Sequence, residues 1–328
     1  MQLVIDTANT TISVKNKCFY IRNKSIKRQI SPKRISSIAI TTNCIINSSA
    51  IKLAAINEVP ILFFNNFGTI QARLCSPYFV NLAELRKKQL IFVETVDATK
   101  WIIDLMKIKS DSQINNLVRF SSDEPDIKDE INDIIGHIKE ISTEIDKLAN
   151  SKIDEIRNEL MGYEGSISRY YFRGLNMFMP TDFKFESRNR RPALDYFNSA
   201  LNYLYGMTYS VVESGVFAKG LDPFIGILHV DNYNNPTLVY DIIEPIRPII
   251  DKILISVIKE NRLSSDCFVK KSQGYWINKK GKRIIIPTFN EFLNTRIKFN
   301  EKVKSLKEHI YRLSNDLGNY IEENINLA

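Results

Sequence analysis

The chain has 328 residues, 44% of them hydrophobic and 25% charged, an ordinary globular composition for about two domains. Global disorder is excluded, and so is a membrane-spanning helix: no apolar run reaches about 18 residues, and the most apolar stretch, Ile249–Ile258, carries Asp251 and Lys252. The net charge of +8 is uneven, with 13 basic and 3 acidic residues in 1–90, 9 and 16 in 91–160, and 23 and 18 in 161–328.

Basic outer segments suggest phosphate contacts, because Lys and Arg release counterions from nucleic acid. The other reading is a merely basic soluble protein. The acidic middle argues against indiscriminate coating of a polyanion. Met1–Thr10 has no basic segment and carries Asp6 where an apolar core would run, so no secretory signal is expected. The four cysteines, Cys18, Cys44, Cys75 and Cys267, include no C-x-x-C pair. Neither a zinc knuckle nor a redox pair is expected, and free thiols fit a reducing cytoplasm.

The chain opens with strand-like alternation at Leu3 and Ile5, then at Ile12 and Val14. Lys15-Asn16-Lys17 reads as a hairpin turn between Thr11–Val14 and Cys18–Ile21. Ile35–Ile40 is a further strand, Ser48 or Ser49 can cap a short helix through Ile56, and Pro60 opens the strand Ile61–Phe64. Asn65-Asn66-Phe67-Gly68 is turn chemistry before a strand Ile70–Cys75, and Pro77 ends this β-rich part.

From about Leu82 the period becomes helical. Ile127, Ile131, Ile134, Ile138, Ile141, Ile145 and Leu148 step by four and three, a seam that fits a helix inside a bundle, behind an acidic, proline-marked start at Asp123-Glu124-Pro125. The remainder reads as helical except for an expected hairpin at Tyr275–Ile286, turning at Lys279-Lys280-Gly281-Lys282. The expectation is an α+β chain: a small β-rich domain over 1–84 and a larger all-α domain over 85–328.

Three histidines occur. His137 and His309 lie in charged amphipathic helices, where surface placement is expected. His229 ends the apolar run Phe224–Leu228 and precedes the turn-rich Asp231-Asn232-Tyr233-Asn234-Asn235-Pro236. It is either a core-edge histidine bonded to backbone or a group presented rigidly beside a loop. Glu244 lies in an isoleucine-rich helix with Arg247 at i+3, a plain intrahelical partner, but Pro245 and Pro248 beside it suggest a shaped site. Glu164 is flanked by Gly162 and Gly165 in a helical stretch, where each glycine costs about 1 kcal/mol relative to alanine. Tight helix packing, or close approach of a metal and a phosphate, would account for both. Ser168 and Tyr171 continue that stripe. Two carboxylates and an imidazole suit Mg²⁺ or Mn²⁺ with room for phosphate oxygens. Spacing alone does not bring the three together.

With these residues in place, the sequence resembles the CRISPR-associated spacer-acquisition integrases, the first of the two universal acquisition proteins. The strings that carry the resemblance are Met161–Gly165, Arg188–Pro192 with Asp195 and Asn198, Tyr203–Gly206, Gly220–Pro223, Gly226–His229 and Tyr240–Pro248. Less diagnostic is Asn57–Ile61 running into a strand and Gly68.

The resemblance implies a β-rich dimerisation domain followed by a helical catalytic domain, with metal ligands at Glu164, His229 and Glu244. Subfamilies differ in the acidic ligand, so Asp241 stands in reserve. It further implies a Mg²⁺- or Mn²⁺-dependent DNA endonuclease and integrase that joins 3′-hydroxyl ends of captured double-stranded DNA to the repeat array. Such a protein works as a homodimer together with the small second acquisition protein. Arg188, Arg190, Arg191 and Lys271 are candidate phosphate contacts, although Arg190 and Arg191 beside Pro192 would also suit structural ion pairs. Tyr205 matches a tyrosine near the DNA end, with helix core as its other reading. The rival functions are a non-catalytic DNA-binding scaffold of the same fold and an unrelated phosphohydrolase. The latter would carry a compact motif such as H-D or D-x-D with several histidines, which is not present.

Overall fold

A computed structural model describes residues 1–64, 70–74, 76, 83–122, 124–190, 192–230, 235–271 and 273–327. The expected turn at 65–68, the 231–234 part of the turn-rich string, Asp123, Cys75, Pro77 and Arg191 lie outside the described residues.

Two four-stranded sheets form the β-rich part. Strands β1 (Gln2–Ile5), β5 (Ser37–Ile40) and β7 (Ile61–Phe64) are parallel, and β8 (Ile70–Leu74) closes that sheet antiparallel to β7. The second sheet runs β4 (Lys27–Ile30), β3 (Cys18–Arg22), β2 (Thr10–Lys15), β6 (Cys44–Ile46), antiparallel except for the parallel β2–β6 pair. The β2–β3 hairpin turns at Asn16 and Lys17, both at positive φ (51 and 57), as a two-residue turn matched to strand twist requires. Helix α1 (Ser48–Ile56) packs against β2 and β3. Its cap is Asn47, whose side chain accepts from the Ala50 N–H at 2.9 Å, one residue before the expected serines. Ile12, Phe19, Ile38, Ala50 and Ile61, all fully buried, are the centre of this core. The edge strands β4 and β6 were not expected: the first is strongly basic, the second only three residues long.

The helical part begins with α2 (Ala83–Phe92), followed by a bundle of α3 (Val96–Ser121), α4 (Lys128–Lys147) and α5 (Ile153–Met177). Thr95 caps α3 by accepting from the Ala98 N–H. Along α4, Ile131, Ile134, Ile138 and Ile145 are buried against α3 and α5, as the seam predicts. Helix α6 (Tyr196–Lys219) starts at an Asp195 cap and ends at Gly220, which adopts φ 91. The chain then passes through α7 (Thr237–Ile243), a 3-10 turn over Glu244–Ile246, and α8 (Arg247–Lys259). Pro245 and Pro248 occupy first-turn positions of the 3-10 turn and of α8, where a missing N–H is tolerated. The segment is thus restarted at Glu244 rather than merely bent.

The C-terminal third is mainly helical, with short hairpins set among its helices. Two hairpins are present, β9 (Phe268–Lys271) with β10 (Gly274–Ile277), and β11 (Arg296–Phe299) with β12 (Lys302–Ser305). The hairpin expected at Tyr275–Ile286 is overturned: Lys279–Asn294 is helix α9. The Asn278 side chain accepts from the N–H groups of Lys280 and Gly281, an N-cap that turns the lysine run into a first helical turn. The last helix, α10 (Leu306–Asn324), packs along α6. His309 is fully buried there, its Nε2 3.0 Å from the Ile297 carbonyl oxygen. The expected surface placement fails because the β11–β12 hairpin covers that face. His137 is exposed as expected, stacked on Tyr170.

The two parts meet at α6 and α9. The Gln2 N–H donates to Asn290 Oδ1 at 2.8 Å, and the Gln2 side chain reaches Ser37 and Ser210. Arg73 of β8 forms an ion pair with buried Glu213 of α6. Truncating Ile61 to alanine, in a fully buried central strand, should lower unfolding stability by about 2–5 kcal/mol, read as a shifted urea midpoint at unchanged m-value.

Candidate metal centre

Glu164 lies in the middle of α5, and Glu244 opens the 3-10 turn between α7 and α8. Both converge on Lys109 of α3: its Nζ donates to Glu164 Oε1 and, at 2.6 Å, to Glu244 Oε2. Ser168, one turn after Glu164, donates to the same Glu164 oxygen at 3.0 Å. The other Glu244 oxygen accepts from Arg247 Nε at 2.8 Å, so the expected intrahelical pair is present. Arg247 in turn donates to the Tyr209 hydroxyl at 2.8 Å and stacks over the Tyr205 ring. Burial alone would raise the Glu244 carboxyl; Arg247 and Lys109 outweigh it and hold the group well below the usual carboxylate range. Lys109 shows the complement, with burial lowering its pKa and the two glutamates raising it more.

His229 is presented by a loop clamped from both sides. The buried Asp241 carboxylate accepts from the backbone N–H of Ile227 (2.7 Å), Leu228 (3.3 Å) and His229 (3.1 Å). Its Oδ1 also lies 2.7 Å from His229 Nδ1. Arg157 of α5 donates to the carbonyls of Ile227 and Leu228 at 2.6 and 2.5 Å. Further upstream, the Gln89 amide bonds the backbone of Asp222 and Ile225. Gly226 is required here, since a Cβ would come within 2.5 Å of the His229 carbonyl oxygen. Burial works against the charged imidazole, but Asp241 outweighs it and raises the His229 pKa. Fixing Nδ1 leaves Nε2 as the outward nitrogen, without a hydrogen-bond partner among the described residues. Asp241, in reserve as a ligand, has its oxygens committed to this loop and works as the orienter of His229.

The three expected ligands therefore lie in one neighbourhood. Two share a cation, and the third is linked to Glu244 through neighbouring contacts: the His229 ring with Tyr240 (5.7 Å), Tyr240 with Tyr209 (5.5 Å), and the Tyr209 hydroxyl with Arg247. Among the described residues, however, no three His, Cys, Asp or Glu side chains are gathered tightly enough to hold a metal as they stand. The donor set fits Mg²⁺ or Mn²⁺ in type, two carboxylates and an imidazole, with Lys109 standing between the carboxylates. Gly162 and Gly165 do not serve tight packing: a Cβ at either would meet nothing within 4 Å.

The candidate DNA contacts separate into two kinds. Arg190 and Lys271 are exposed. Arg188 is half-buried, its guanidinium bonded to Asn198 Oδ1 (2.8 Å) and Asn202 Oδ1 (2.7 Å) and stacked on Tyr205. Tyr205 is 5% exposed and donates to buried Asp251 at 2.6 Å, placing it in the helix core. Tyr171 is also core rather than part of an open polar stripe; its hydroxyl accepts from Asn116 at 2.9 Å. Sequence reasoning missed Lys109, Arg157, Gln89 and the role of Asp251. A signal for Lys109 was present, because it falls on the buried register Ile102, Met106, Lys109, Gln113 of α3, where an unpaired cation would be costly.

A small β-rich part joined to a helical part with this topology is the fold shared by Cas1 proteins and a casposase. A casposase bound to integration product superposes with a TM-score of 0.82 at 21% identity, covering 99% of this chain and 92% of that one. A Cas1 protein from Thermotoga maritima gives 0.78 at 19% identity, covering 100% and 99%. The family model described as CRISPR associated protein Cas1 matches residues 3–291, and the chain belongs to the Cas1 family. Among relatives, CRISPR-associated endonuclease Cas1 1 of Archaeoglobus fulgidus is 24% identical over 311 residues, 91% of this chain and 90% of that protein. CRISPR-associated endonuclease Cas1 2 of Thermodesulfovibrio yellowstonii is 26% identical over 298 residues, 90% and 86%.

Two outcomes are expected from this geometry. Asp241→Ala should release the His229 loop and reduce any activity that needs His229, while Asp241→Asn, which keeps an acceptor but loses charge, should be impaired less. Imidazole NMR shifts of His229 check the reorientation. Separately, burial pushes the Asp251 carboxyl up to about 6 despite bonds from Tyr205 and Tyr171. A raised carboxyl pKa means the folded state holds its proton more tightly, so stability falls as pH rises from about 4 to about 6 and is level above, by up to ~3 kcal/mol. Asp251→Asn should melt like the parent near pH 4 and above it at pH 7.5, by differential scanning calorimetry.

Proposed function

We propose that this protein is the DNA endonuclease and integrase of CRISPR spacer acquisition. It would join 3′-hydroxyl ends of captured double-stranded DNA to the repeat by in-line phosphoryl transfer, with Glu164, His229 and Glu244 holding Mg²⁺ or Mn²⁺. The observation that carries this reading is the convergence of Glu164 and Glu244, from two distant helical segments, on one cation, together with a histidine whose Nδ1 is fixed by Asp241. Membership of a family whose curated relatives are named endonucleases supports it.

When bound, the divalent cation would polarise a phosphate oxygen and lower the pKa of the attacking hydroxyl or water. The chain's own groups do the remaining work. Glu164 and Glu244 supply negative charge from rigid elements, and Asp241 with Arg157 holds the His229 loop so that Nε2 faces the site. Exposed Arg190 and Lys271 contact phosphates, without a covalent enzyme intermediate at any stage. Arg191 belongs to the same group by sequence. Arg188 and Tyr205 support the wall behind Glu244 through Arg247 rather than reaching DNA directly.

Partner DNA, a homodimer built on the β-rich part and the small second acquisition protein complete the proposal. Ile26, Ile45 and Ile56, exposed on the β-rich part, support an interface there. Similarity to the chain of a solved Cas6-RT-Cas1–Cas2 complex, at TM-score 0.78 and 20% identity and covering 99% of this chain and 35% of that one, supports a compatible fold. The alternative, a non-catalytic DNA-binding scaffold, draws on one observation: Lys109 and Arg247 already neutralise the two glutamates.

Strand-transfer assays with a 3′-hydroxyl DNA fragment and a repeat duplex in Mn²⁺ separate the two readings. Glu164→Ala, His229→Ala and Glu244→Gln should each lower joining by ~10²-fold or more. DNA affinity should stay near the parental value and fall linearly in log–log form with salt. Glutamine is used at position 244 because alanine would leave Arg247 and Lys109 buried without a partner. A parent without joining activity, or variants that join like the parent, would favour the scaffold.

A further inference from the structure

We propose that Lys109 is a built-in competitor for the metal: its ammonium bridges Glu164 and Glu244 while no divalent cation is present, and a metal can be held by both glutamates only when Lys109 withdraws. The inference rests on the metal-centre reading above and goes beyond it, by giving the empty centre its own cation and making metal entry an exchange.

Three observations carry it. First, both oxygens of Glu244 are already occupied, Oε2 by Lys109 and Oε1 by Arg247. Each oxygen keeps a second lone pair, but a divalent ion ligated by Glu244 would sit against one of these cations, and their repulsion drives that partner away. Second, the two cations are not equally fixed. Arg247 is held by Glu244, by the Tyr209 hydroxyl and by stacking on the Tyr205 and Tyr209 rings. Lys109 holds its place through the two glutamates on a flexible four-carbon stem. A planar guanidinium fork stays put where a point-charge ammonium can swing. Third, there is somewhere to go. The Glu164 side chain is 33% exposed. Withdrawal along Glu164 takes the ammonium toward water.

The exchange changes the charge of the centre. With Lys109 and Arg247 in place the two carboxylates are already balanced, and a divalent ion in place of Lys109 leaves one net positive charge, which suits an arriving phosphate. Lys109 thus prevents the glutamates from repelling each other apart in the empty protein, and it weakens apparent metal affinity by the free energy of its own ion pairs. Without Lys109 the empty centre would be less stable and the loaded one tighter.

Two measurements test this on the full chain. The first is Mn²⁺ binding by electron paramagnetic resonance and calorimetry for the parent, Lys109→Met and Glu244→Gln, with melting curves with and without Mn²⁺. Lys109→Met should bind at least ~10-fold more tightly, melt lower than the parent when empty, and recover to the parental melting temperature at saturating Mn²⁺. Equal or weaker Mn²⁺ binding in Lys109→Met overturns the proposal while leaving the metal reading intact, provided Glu244→Gln loses binding. Binding by neither parent nor Lys109→Met overturns the metal reading, and the exchange with it. The second measurement does not need Lys109→Met, so it holds even if that variant does not fold. In protein labelled with ¹⁵N at lysine Nζ, the ion-paired Lys109 signal, assigned by its loss in Lys109→Arg, should shift and broaden toward solvent-exchanging values on Mg²⁺ addition. A Lys109 signal unchanged at saturating Mg²⁺ means that the lysine does not move, and the proposal fails.

Discussion

Buried charge is the constraint on which the rest of the helical part depends. A carboxylate in an isoleucine-rich interior is tolerated only when cations and hydrogen-bond donors meet it there. Glu244 is 8% exposed and meets two cations. That requirement fixes the relative placement of four elements. The lysine comes from α3, the partner carboxylate from α5, the arginine from the first turn of α8, and the arginine's support from α6 through Tyr205 and Tyr209. Pro245 and Pro248 then have a clear role, because restarting the chain at Glu244 and again at Arg247 lets the two side chains sit side by side at i+3 while the axis changes. Breaking such a network by removing one member leaves an uncompensated charge, at about 3–5 kcal/mol, which makes it rigid as well as reactive.

A second layer of the same logic surrounds the histidine. Asp241 gives its carboxylate to three backbone N–H groups and one ring nitrogen, while Arg157 takes two carbonyls on the same loop. Opposite charges thus grip opposite edges of one short backbone segment. A loop carrying a functional imidazole is normally among the least stable parts of a domain; here it is tied to α5 and α7. The ring orientation is fixed before any ligand arrives, which is the preorganisation that electrostatic catalysis relies on.

Much of this was legible in the residue order. The β2–β3 hairpin follows from Asn16-Lys17, the strand Ile61–Phe64 from its leading proline, and the α4 seam from isoleucines stepping by four and three. These are local signals, and local geometry decided them. Glu164, His229 and Glu244 stood out because each broke a local rule: glycines in a helix, an imidazole leaving an apolar run, an acid among isoleucines. What stayed hidden was long-range. Lys109 is 135 residues from Glu244, and no periodicity states which cation meets which carboxylate. The lysine-rich segment after Ile277 read as a turn because Lys and Gly are common in turns, whereas the Asn278 cap made it a helix. His309 read as exposed because the hairpin that covers it had no clear alternation of its own.

The bond between Gln2 and Asn290 joins residues 288 positions apart, and it bears on how the chain comes together as it is made. The first strand lies in its sheet against partners from the first quarter of the chain, so that sheet can form early. Its seat against α9 does not exist until nearly nine-tenths of the chain has left the ribosome. At ~5–20 residues per second, roughly ten to forty seconds separate synthesis of the last strand of that sheet from synthesis of its dock. Throughout that interval the Gln2 backbone lacks its Asn290 partner, whereas the junction groups that meet Ser210 and Glu213 of α6 find theirs sooner. High contact order of this kind slows folding without lowering the stability eventually reached. It also makes the junction, and not either core, the place where an incompletely synthesised chain differs most from the finished one.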